Sequence, residues 1–273
     1  MTTPRDFRGK VVAVTGAAGG LGRALVHAFA QVGAQVAALD RDAAALAVLA
    51  QETAGTPLMT AVCDVTRLDD CQAAIAHVCE RLGGVDLLIN NAGIAHRSAF
   101  ADTQVDVLRR VMDVNFFGAA HCTHAALPSL RQRRGMVVAI SSVAGFSPLI
   151  GRTGYAASKH ALHGFFDSLR TEVQDDGVDV LIVCPSFIDT GIDRAALGAD
   201  GQPAAQARKT TGDTTQPSEV ATAILQAAQQ RRQLLLFSFT AKAAWWLSRL
   251  SPTRYAAVMK KRLQSEIFPP STH

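Results

Sequence analysis

The chain begins with an apolar run, a glycine-rich turn and an alanine-rich helical pattern that follow one another without a break. They cover residues 10–14, 15–22 and 23–32. Glycines in such a strand–turn–helix unit let the backbone approach a dinucleotide pyrophosphate at the helix N-terminus, where the helix dipole favours negative charge. An acidic residue, Asp40, ends the next apolar run, 24 positions after Gly16. The unit is typical of folds in which a buried parallel strand leads through a glycine turn into a helix.

Apolar runs alternate with helical patterns along the rest of the chain. This alternation predicts the α/β class: a single Rossmann-like, doubly wound parallel sheet of about seven strands with helices on both faces. We expect strands near residues 10–15, 35–40, 58–63, 85–90, 135–141, 178–184 and 233–237. We expect helices near residues 20–32, 42–52, 67–82, 104–132, 152–175 and 217–231. The 273 residues divide into one Rossmann-fold domain, 1–239, and a C-terminal helical extension, 240–273.

Tyr155 and Lys159 lie four residues apart at the start of a long helical pattern, so both project from one helix face. A cation about 4 Å from a phenol contributes about 4 kcal/mol at an effective dielectric of about 20, equivalent to about three pKa units. Lys159 is therefore able to make Tyr155 a usable general base. An exposed Tyr and Lys on a solvated helix face is the alternative interpretation.

Four motifs occur in one order along the chain: Thr15-Gly16-x-x-x-Gly20-x-Gly22, Asn90-Asn91-Ala92-Gly93, Ser142, and Tyr155-x-x-x-Lys159. With thirteen residues from Ser142 to Tyr155, this combination resembles the short-chain dehydrogenase/reductase family over roughly residues 8–238. The resemblance implies an NAD(P)-dependent oxidoreductase that transfers a hydride between nicotinamide and a secondary alcohol or ketone.

The resemblance assigns roles to four catalytic positions. Tyr155 exchanges the hydroxyl proton, and Lys159 lowers the pKa of Tyr155 and binds the nicotinamide ribose. Ser142 steadies the substrate oxygen, with Ser141 as the alternative if the register differs by one residue. Asn115 kinks its helix and holds a water that leads to Lys159. A core asparagine with satisfied hydrogen bonds is the alternative for Asn115, because a buried amide without partners costs about 1–3 kcal/mol.

The resemblance also implies a set of cofactor-binding positions. These are Gly16, Ala18, Gly19, Gly20, Leu21, Gly22, Asp40, Arg41, Asp64, Val65, Asn91, Ala92, Gly93, Tyr155, Lys159, Pro185, Ile188 and Thr190. Asp40 can accept hydrogen bonds from ribose hydroxyls and would repel a 2′-phosphate, whereas Arg41 would attract one. NAD is favoured as the cofactor and NADP is the alternative. Asp40 and Asp64 could also act simply as helix caps.

We expect the substrate to contact Ser142, Tyr155, His96, Phe146 and Phe187. The loops around these positions are rich in apolar residues, which favours a lipophilic substrate such as a steroid, a retinoid or a long-chain acyl compound. Residues 190–216 form a long connection without strong periodicity, and we predict a substrate lid there. A catalytically silent nucleotide sensor or scaffold of the same fold is the second hypothesis, although the intact Ser-Tyr-Lys set argues against it.

The composition favours a cytoplasmic enzyme without a metal. The five cysteines are scattered, without zinc-site spacing or a disulfide framework, and are expected to be reduced core thiols. The chain has no apolar run near the roughly 18 residues of a membrane-spanning helix, and its first residues lack a secretory apolar core. The family resemblance implies a homodimer or a homotetramer. We expect no nucleic-acid partner, because the basic residues do not belong to a recognisable binding module.

The net positive charge of the chain comes from its C-terminal part, from residue 231 onward. Eight Lys/Arg and no acidic residue occur from residue 231 to residue 262, whereas the rest of the chain has 19 basic and 23 acidic residues. Ala243, Trp246, Leu247 and Leu250 share one helical face. Basic amphipathic helices with tryptophan suit the surface of an anionic membrane, so peripheral membrane contact through residues 240–264 is one hypothesis. Packing of that face on the enzyme's own core or on a partner subunit is the other.

Overall fold

A computed structural model describes residues 3–186, 188–189, 191–192, 195–204, 215–237 and 239–267. Its strands are β1 (Val11–Thr15), β2 (Gln35–Asp40), β3 (Leu58–Val62), β4 (Leu87–Asn90), β5 (Met136–Ile140), β6 (Asp179–Cys184) and β7 (Leu234–Leu236). All pair in parallel, in the order β3-β2-β1-β4-β5-β6-β7. Every strand lies within a range predicted from the sequence.

Nine α-helices occur in the described part of the chain. They are α1 (Gly20–Gln31), α2 (Ala43–Glu52), α3 (Leu68–Leu82), α4 (Val105–Met112), α5 (Gly118–Gln132), α6 (Thr153–Glu172), α7 (Pro217–Gln229), α8 (Phe239–Leu250) and α9 (Pro252–Ile267). The single helix expected over 104–132 is interrupted by a π-helical turn, Asp113–Phe117, between α4 and α5. The π turn adds a residue to the helical repeat, and such turns are frequent at functional sites.

The sheet is buried on both faces, as a doubly wound fold requires. In β1, Val12 and Val14 belong to the core on one face, and Val11 and Ala13 belong to the core on the other. Helices α1 and α7 cover the first face, whereas α3, α5 and α6 cover the second. The near-continuous apolar run of β1 therefore reflects burial on two sides.

The direction of the strand order reverses at β1, because β2 pairs with one edge of β1 and β4 with the other. Loops that leave the carboxyl ends of such neighbouring strands diverge and form a crevice, where ligands of open α/β sheets bind. The glycine turn follows β1 and the Asn-Asn-Ala-Gly motif follows β4, so both border this crevice. Within the described residues, no helix has both the length and the apolar character needed to cross a bilayer.

Candidate active site

The glycine turn after β1 is held in a compact conformation by the Asn-Asn-Ala-Gly loop. The Nδ2 of Asn91 donates hydrogen bonds to the carbonyl oxygens of Thr15 and Gly16, at 2.9 and 3.0 Å. The Thr15 hydroxyl accepts hydrogen bonds from the backbone N–H groups of Asn91 and Ala92. A side chain is not tolerated at two of the glycines. Gly16 has φ +62° and lies against Ala92, and a Cβ on Gly22 would overlap the Gly16 carbonyl oxygen.

A cavity of about 390 Å³, called here the larger cavity, opens at the ends of β1 to β4. Twelve predicted cofactor positions line it: Gly16, Gly19, Gly20, Leu21, Gly22, Asp40, Arg41, Asp64, Val65, Asn91, Ala92 and Gly93. Its volume lies in the usual range for small-molecule sites. The glycine turn presents a wall without side chains at the N-terminus of α1, which is the arrangement a pyrophosphate needs. The residues present therefore fit a dinucleotide.

Asp40 lies in the wall of the larger cavity at the end of β2. Its Oδ2 accepts a hydrogen bond from Ala18 N at 3.0 Å, and its Oδ1 accepts one from Asp42 N at 3.1 Å. Each carboxylate oxygen can accept further hydrogen bonds. Ala18 does not line the cavity and instead orients Asp40. Ala18, a predicted cofactor position, therefore acts on the cofactor site only indirectly, through Asp40.

Asp64 follows β3 in the same wall, and its carboxylate is held by Thr66. Its Oδ1 accepts hydrogen bonds from Thr66 N at 2.9 Å and from Thr66 Oγ1 at 2.8 Å. Burial acts to raise the pKa of Asp64, but these hydrogen bonds, with Arg41 and Arg67 nearby, outweigh it and lower the pKa below its usual value. Asp64 is therefore a fixed negative charge at the cavity wall.

Tyr155 and Lys159 meet in a second, smaller cavity of about 120 Å³. Pro185 and Ile188, two further predicted cofactor positions, line it as well. The two cavities share five wall residues: Leu21, Asn91, Gly93, Ala95 and Ile192. The space beside the glycine turn therefore adjoins the space beside Tyr155.

Lys159 is a buried cation whose position is fixed by backbone. Its Nζ donates a hydrogen bond to the Ile140 carbonyl oxygen at 2.8 Å and lies 5.7 Å from the centroid of the Tyr155 ring. Only 4% of Lys159 is exposed, and this burial lowers its pKa from 10.5 to about 8. The tyrosine and lysine are therefore not the exposed surface pair that the spacing alone allowed.

The two serines after β5 have different environments. The Oγ of Ser142 accepts a hydrogen bond from Ala144 N at 3.1 Å and caps a short 3₁₀ turn. The Oγ of Ser141 is buried and lies 3.0 Å from His163 Nε2 and 3.3 Å from the Lys159 carbonyl oxygen, to which it donates. Among the described residues that line the smaller cavity, Ser141 is present and Ser142 is not. The Ser141 hydroxyl is already hydrogen-bonded to His163 and to the helix backbone. Ser142 is therefore the serine whose hydroxyl hydrogen can still be donated to a substrate.

Asn115 lies in the π turn and is 1% exposed. Its Oδ1 accepts a hydrogen bond from Ile94 N at 2.8 Å, and its Nδ2 donates to Ile94 O at 3.0 Å and to Ser158 Oγ at 2.9 Å. The amide is thus satisfied, as in the alternative considered for this position. It nevertheless lies at the site, because a Cβ on Gly93 would be 3.2 Å from Asn115 Oδ1 and 3.7 Å from Lys159 Nζ.

Two predicted substrate contacts lie elsewhere in the structure. His96 is fully buried, pairs with Leu197 in a β-bridge, and has its Nε2 2.8 Å from Ser98 Oγ, so that segment 195–204 covers it. Phe146 packs edge-on against Trp245 of α8, with ring centroids 5.0 Å apart. Neither residue is among those that line the two cavities, and His96 is buried whereas Phe146 is partly exposed. Their contact with substrate stays a prediction.

Part of the predicted lid borders the site. Gly191, Ile192 and Ala195 line the larger cavity, and Ile192 also lines the smaller one. Phe187, a predicted substrate contact, and Thr190, a predicted cofactor contact, lie outside the described residues, as do residues 193–194 and 205–214 of the predicted lid.

Several wall residues were not predicted as site residues. They are Cys63, Ala95 and Val114 in the larger cavity and Ile140, Arg152 and Ser186 in the smaller one. Most are within three positions of a recognised motif residue, as Cys63 is of Asp64 and Arg152 is of Tyr155. Proximity to a motif was the available signal, but it does not specify which neighbours face the cavity.

The C-terminal helices pack on the loop that follows β5. Trp245 contacts His163 as well as Phe146, Arg249 stacks on Trp245 at 3.3 Å from the ring centroid, and Tyr255 Oη lies 2.6 Å from Ser147 Oγ. The apolar face of α8 that was predicted from periodicity is not the face that packs on the enzyme. Its four residues, Ala243, Trp246, Leu247 and Leu250, are all exposed, with Trp246 64% and Leu250 78% accessible. The extension therefore packs on its own enzyme through one face and presents a second apolar face to solvent.

Sequence comparisons match the chain to short-chain dehydrogenases/reductases. The profile of short chain dehydrogenases matches residues 10–201. A dehydrogenase/reductase SDR family protein 7-like of Anopheles gambiae is 36% identical over 269 residues, covering 95% of this chain and 85% of that protein. The dehydrogenase/reductase SDR family member 7B of Mus musculus is also 36% identical, covering 95% of this chain and 83% of that protein.

Solved structures agree with the sequence comparisons. A short chain dehydrogenase/reductase from Burkholderia phymatum, crystallised in complex with NAD, superposes with a TM-score of 0.80 at 27% identity, covering 90% of this chain and 94% of that one. A short-chain dehydrogenase from Streptomyces avermitilis superposes with a TM-score of 0.77 at 29% identity, covering 93% and 97%.

Proposed function

The chain belongs to the short-chain dehydrogenase/reductase family, and on this premise we propose that it transfers a hydride between a nicotinamide dinucleotide and a secondary alcohol or ketone. One observation carries the proposal: the cavity beside the glycine turn shares five wall residues with the adjoining cavity that contains Tyr155 and Lys159. A dinucleotide held along the first would therefore end beside the phenol in the second.

The residues of the glycine turn and the ends of β2 to β4 would hold the dinucleotide, with the pyrophosphate at the N-terminus of α1. When bound, the dinucleotide would supply or accept the hydride. The other steps belong to the protein. Tyr155 gives a proton to the substrate oxygen during reduction and removes it during oxidation. Lys159 favours the ionised phenol, because its buried ammonium is held near the ring by the Ile140 carbonyl.

Ser142 and Asn115 complete the proposed site. A hydroxyl that accepts a hydrogen bond through its oxygen, as Ser142 does from Ala144, can still donate its hydrogen to the substrate oxygen. Asn115 ties the π turn to the loop at Ile94, next to the wall residue Gly93, and so fixes the wall shared by the two cavities. We assign to the π turn the water that returns the proton from Lys159 to solvent.

The smaller cavity supports a substrate with an apolar body, because Ala95, Ile140, Leu149, Ile188 and Ile192 line it. We propose a steroid, a retinoid or a long-chain acyl compound. A panel of alcohols and ketones that includes these classes, followed by NADH and NADPH absorbance, tests the proposal. Turnover of an apolar member supports it. Dinucleotide binding without turnover of any member would favour a silent sensor instead.

Removal of the Asp40 charge should reduce the preference for NAD. Asp40→Asn keeps an oxygen acceptor and removes the charge that faces a 2′-phosphate, so we expect the ratio of kcat/KM for NAD to that for NADP to fall at least about tenfold. Asp42→Asn is the matched control, because Asp42 caps α2 two residues further on and does not line the cavity. An unchanged ratio in Asp40→Asn, or an equal change in both variants, would contradict the assignment.

We propose that the enzyme is cytoplasmic and binds anionic membranes peripherally, and the exposed face of the extension supports the membrane contact. Trp246, Leu247 and Leu250 are exposed on α8, Lys242 lies one turn before Trp246 on the same helix, and Lys260 and Lys261 are exposed on α9. Apolar side chains next to cations complement the acyl chains and the anionic headgroups of a lipid surface. The packed face contacts the loop after β5, so the lipid surface would lie near the substrate cavity. The family also supports a homo-oligomer, for which exposed Val105 and Phe117 offer apolar surface.

Loss of two exposed side chains should weaken membrane binding. Each buried Trp or Leu contributes about 1.5–3 kcal/mol, so Trp246→Ala with Leu250→Ala should lower partitioning into anionic liposomes by roughly a hundredfold or more. Flotation measures this, with Val48→Ala on α2 as the exposed apolar control. Added salt should weaken binding of the unmodified chain. Unchanged flotation together with a smaller oligomer in the double variant would assign the face to a second copy and contradict the membrane proposal.

A further inference from the structure

Three cysteine sulfurs from three separate elements meet behind the wall of the larger cavity. Cys63 follows β3, Cys71 belongs to α3 and Cys122 to α5, and all three are buried. Their Sγ atoms lie within 4.8 Å of one another. Cys122 donates a hydrogen bond to Cys71 at 3.5 Å, and Cys71 donates to the Val65 carbonyl oxygen at 3.6 Å. The hydride-transfer mechanism uses none of these thiols.

The sulfur spacing matches the requirement of a metal ion bound by three thiolates. A metal–sulfur bond of about 2.3 Å separates the sulfurs of a three-coordinate or tetrahedral ion by about 4 Å. The cluster spans 3.5 Å to at most 4.8 Å, so shifts of a few tenths of an ångström would complete the geometry. We propose that Cys63, Cys71 and Cys122 form a site for one soft divalent cation of the Zn²⁺ and Cd²⁺ class, whose occupancy opposes dinucleotide binding.

Cysteine binds a metal ion as the thiolate. Binding of a divalent cation by three thiolates would therefore release the protons of the three thiols to solvent. Cys63 lines the larger cavity, which gives the cation a route in and leaves room for a fourth ligand such as water.

Metal occupancy of the three-cysteine site is coupled to dinucleotide binding through the wall of the larger cavity. Asp64 and Val65 follow Cys63 directly and line the same cavity, and Val65 O is a hydrogen-bond acceptor of Cys71. Loss of the Cys71 proton to a metal removes that hydrogen bond and frees the Val65 carbonyl to move. Three thiolates with one divalent cation also leave one net negative charge behind the wall, which disfavours an anionic dinucleotide. Linkage is reciprocal, so the cation and the dinucleotide weaken each other by the same factor.

Cadmium binding tests the site without any dinucleotide. The full chain, reduced with a phosphine and free of chelator, is titrated with Cd²⁺ while the ultraviolet charge-transfer absorption of cadmium–thiolate bonds is recorded. We expect saturation at one equivalent, loss of the band in Cys63→Ser and Cys122→Ser, and retention in Cys79→Ser, whose thiol lies on α3 outside the cluster. Absence of the band in the unmodified chain, or an equal band in all variants, would overturn the site. ¹¹³Cd NMR of the unmodified chain counts the sulfur ligands even if a variant does not fold.

The opposition between cation binding and dinucleotide binding rests on the proposed function, and it is measured separately. NADH binding, followed by fluorescence, should be about tenfold weaker with Cd²⁺ present than without it, and Cys122→Ser should abolish the difference. Equal NADH affinity with and without bound Cd²⁺ would overturn the coupling. A chain that binds Cd²⁺ at the cluster but no dinucleotide under any condition would instead refute the proposed function.

Discussion

Replacement of Tyr155 by phenylalanine should lower kcat/KM about a thousandfold for any alcohol or ketone that the enzyme accepts. The variant keeps the ring beside Lys159 and removes only the hydroxyl that exchanges the proton. Positioned acid–base groups contribute roughly 10²–10⁴ in rate. Dinucleotide affinity should stay within about threefold, because the predicted pyrophosphate contacts and Asp40 lie in the larger cavity and the variant keeps Lys159, the predicted contact of the nicotinamide ribose. Steady-state kinetics with NADH fluorescence titration measures both quantities.

The chain contains a matched control for this variant. Tyr255 is its other tyrosine, and its hydroxyl contacts Ser147 in the loop after β5. Tyr255→Phe deletes the same atom outside both cavities, so kcat/KM should change by less than about tenfold, through loss of one hydrogen bond of about 1 kcal/mol. Comparable losses in the two variants would mean that the phenol of Tyr155 acts through stability. Retention of normal turnover in Tyr155→Phe would remove the assigned proton donor.

The sequence predicted well those parts of the molecule that depend on local backbone. Every strand fell within its expected range. For the inner strands β1, β4 and β5 the reason is that burial on both faces produces a continuous apolar run, which few other structures require. The glycine turn was equally predictable from the sequence, because Gly16 has a positive φ and Gly22 has no space for a side chain. The pairing of Tyr155 with Lys159 followed from helix periodicity alone.

Residues whose environment depends on distant segments could not be predicted in the same way. The burial of His96 depends on Leu197, about a hundred positions later, and Phe146 is covered by Trp245 from a helix outside the family pattern. The apolar face of α8 was assigned from its period, but α8 has two apolar sides, and only tertiary packing decides that Trp245 turns inward and Trp246 outward. The three scattered cysteines lack any local spacing signal and become a cluster only when β3, α3 and α5 pack together.

Replacement of Lys159 by methionine should abolish most of the activity and make the protein more stable. The ammonium is buried without a carboxylate partner in the described part of the chain, and its pKa falls from 10.5 to about 8. Each pKa unit corresponds to about 1.4 kcal/mol, so the buried charge costs about 3 kcal/mol below pH 8. Methionine fills a similar volume without that charge. Loss of the hydrogen bond to Ile140 costs about 1 kcal/mol, which leaves a net gain of about 2 kcal/mol.

The pH dependence of this gain identifies its cause. Between about pH 8 and pH 10.5 the unfolded chain binds a proton at Lys159 that the folded chain has lost, so the stability of the unmodified protein rises with pH across this window relative to the variant. Urea unfolding should therefore find Lys159→Met about 2 kcal/mol more stable at pH 7 and close to the unmodified protein, or slightly below it, near pH 10. Lys242→Met, at an exposed position on α8, is the control and should change stability little at either pH. A variant that is less stable than the unmodified protein at pH 7, or a difference independent of pH, would mean that Lys159 is stabilised in the folded state. The proposal that Lys159 favours the ionised phenol of Tyr155 requires a buried cation without a compensating charge, and this requirement would then not be met.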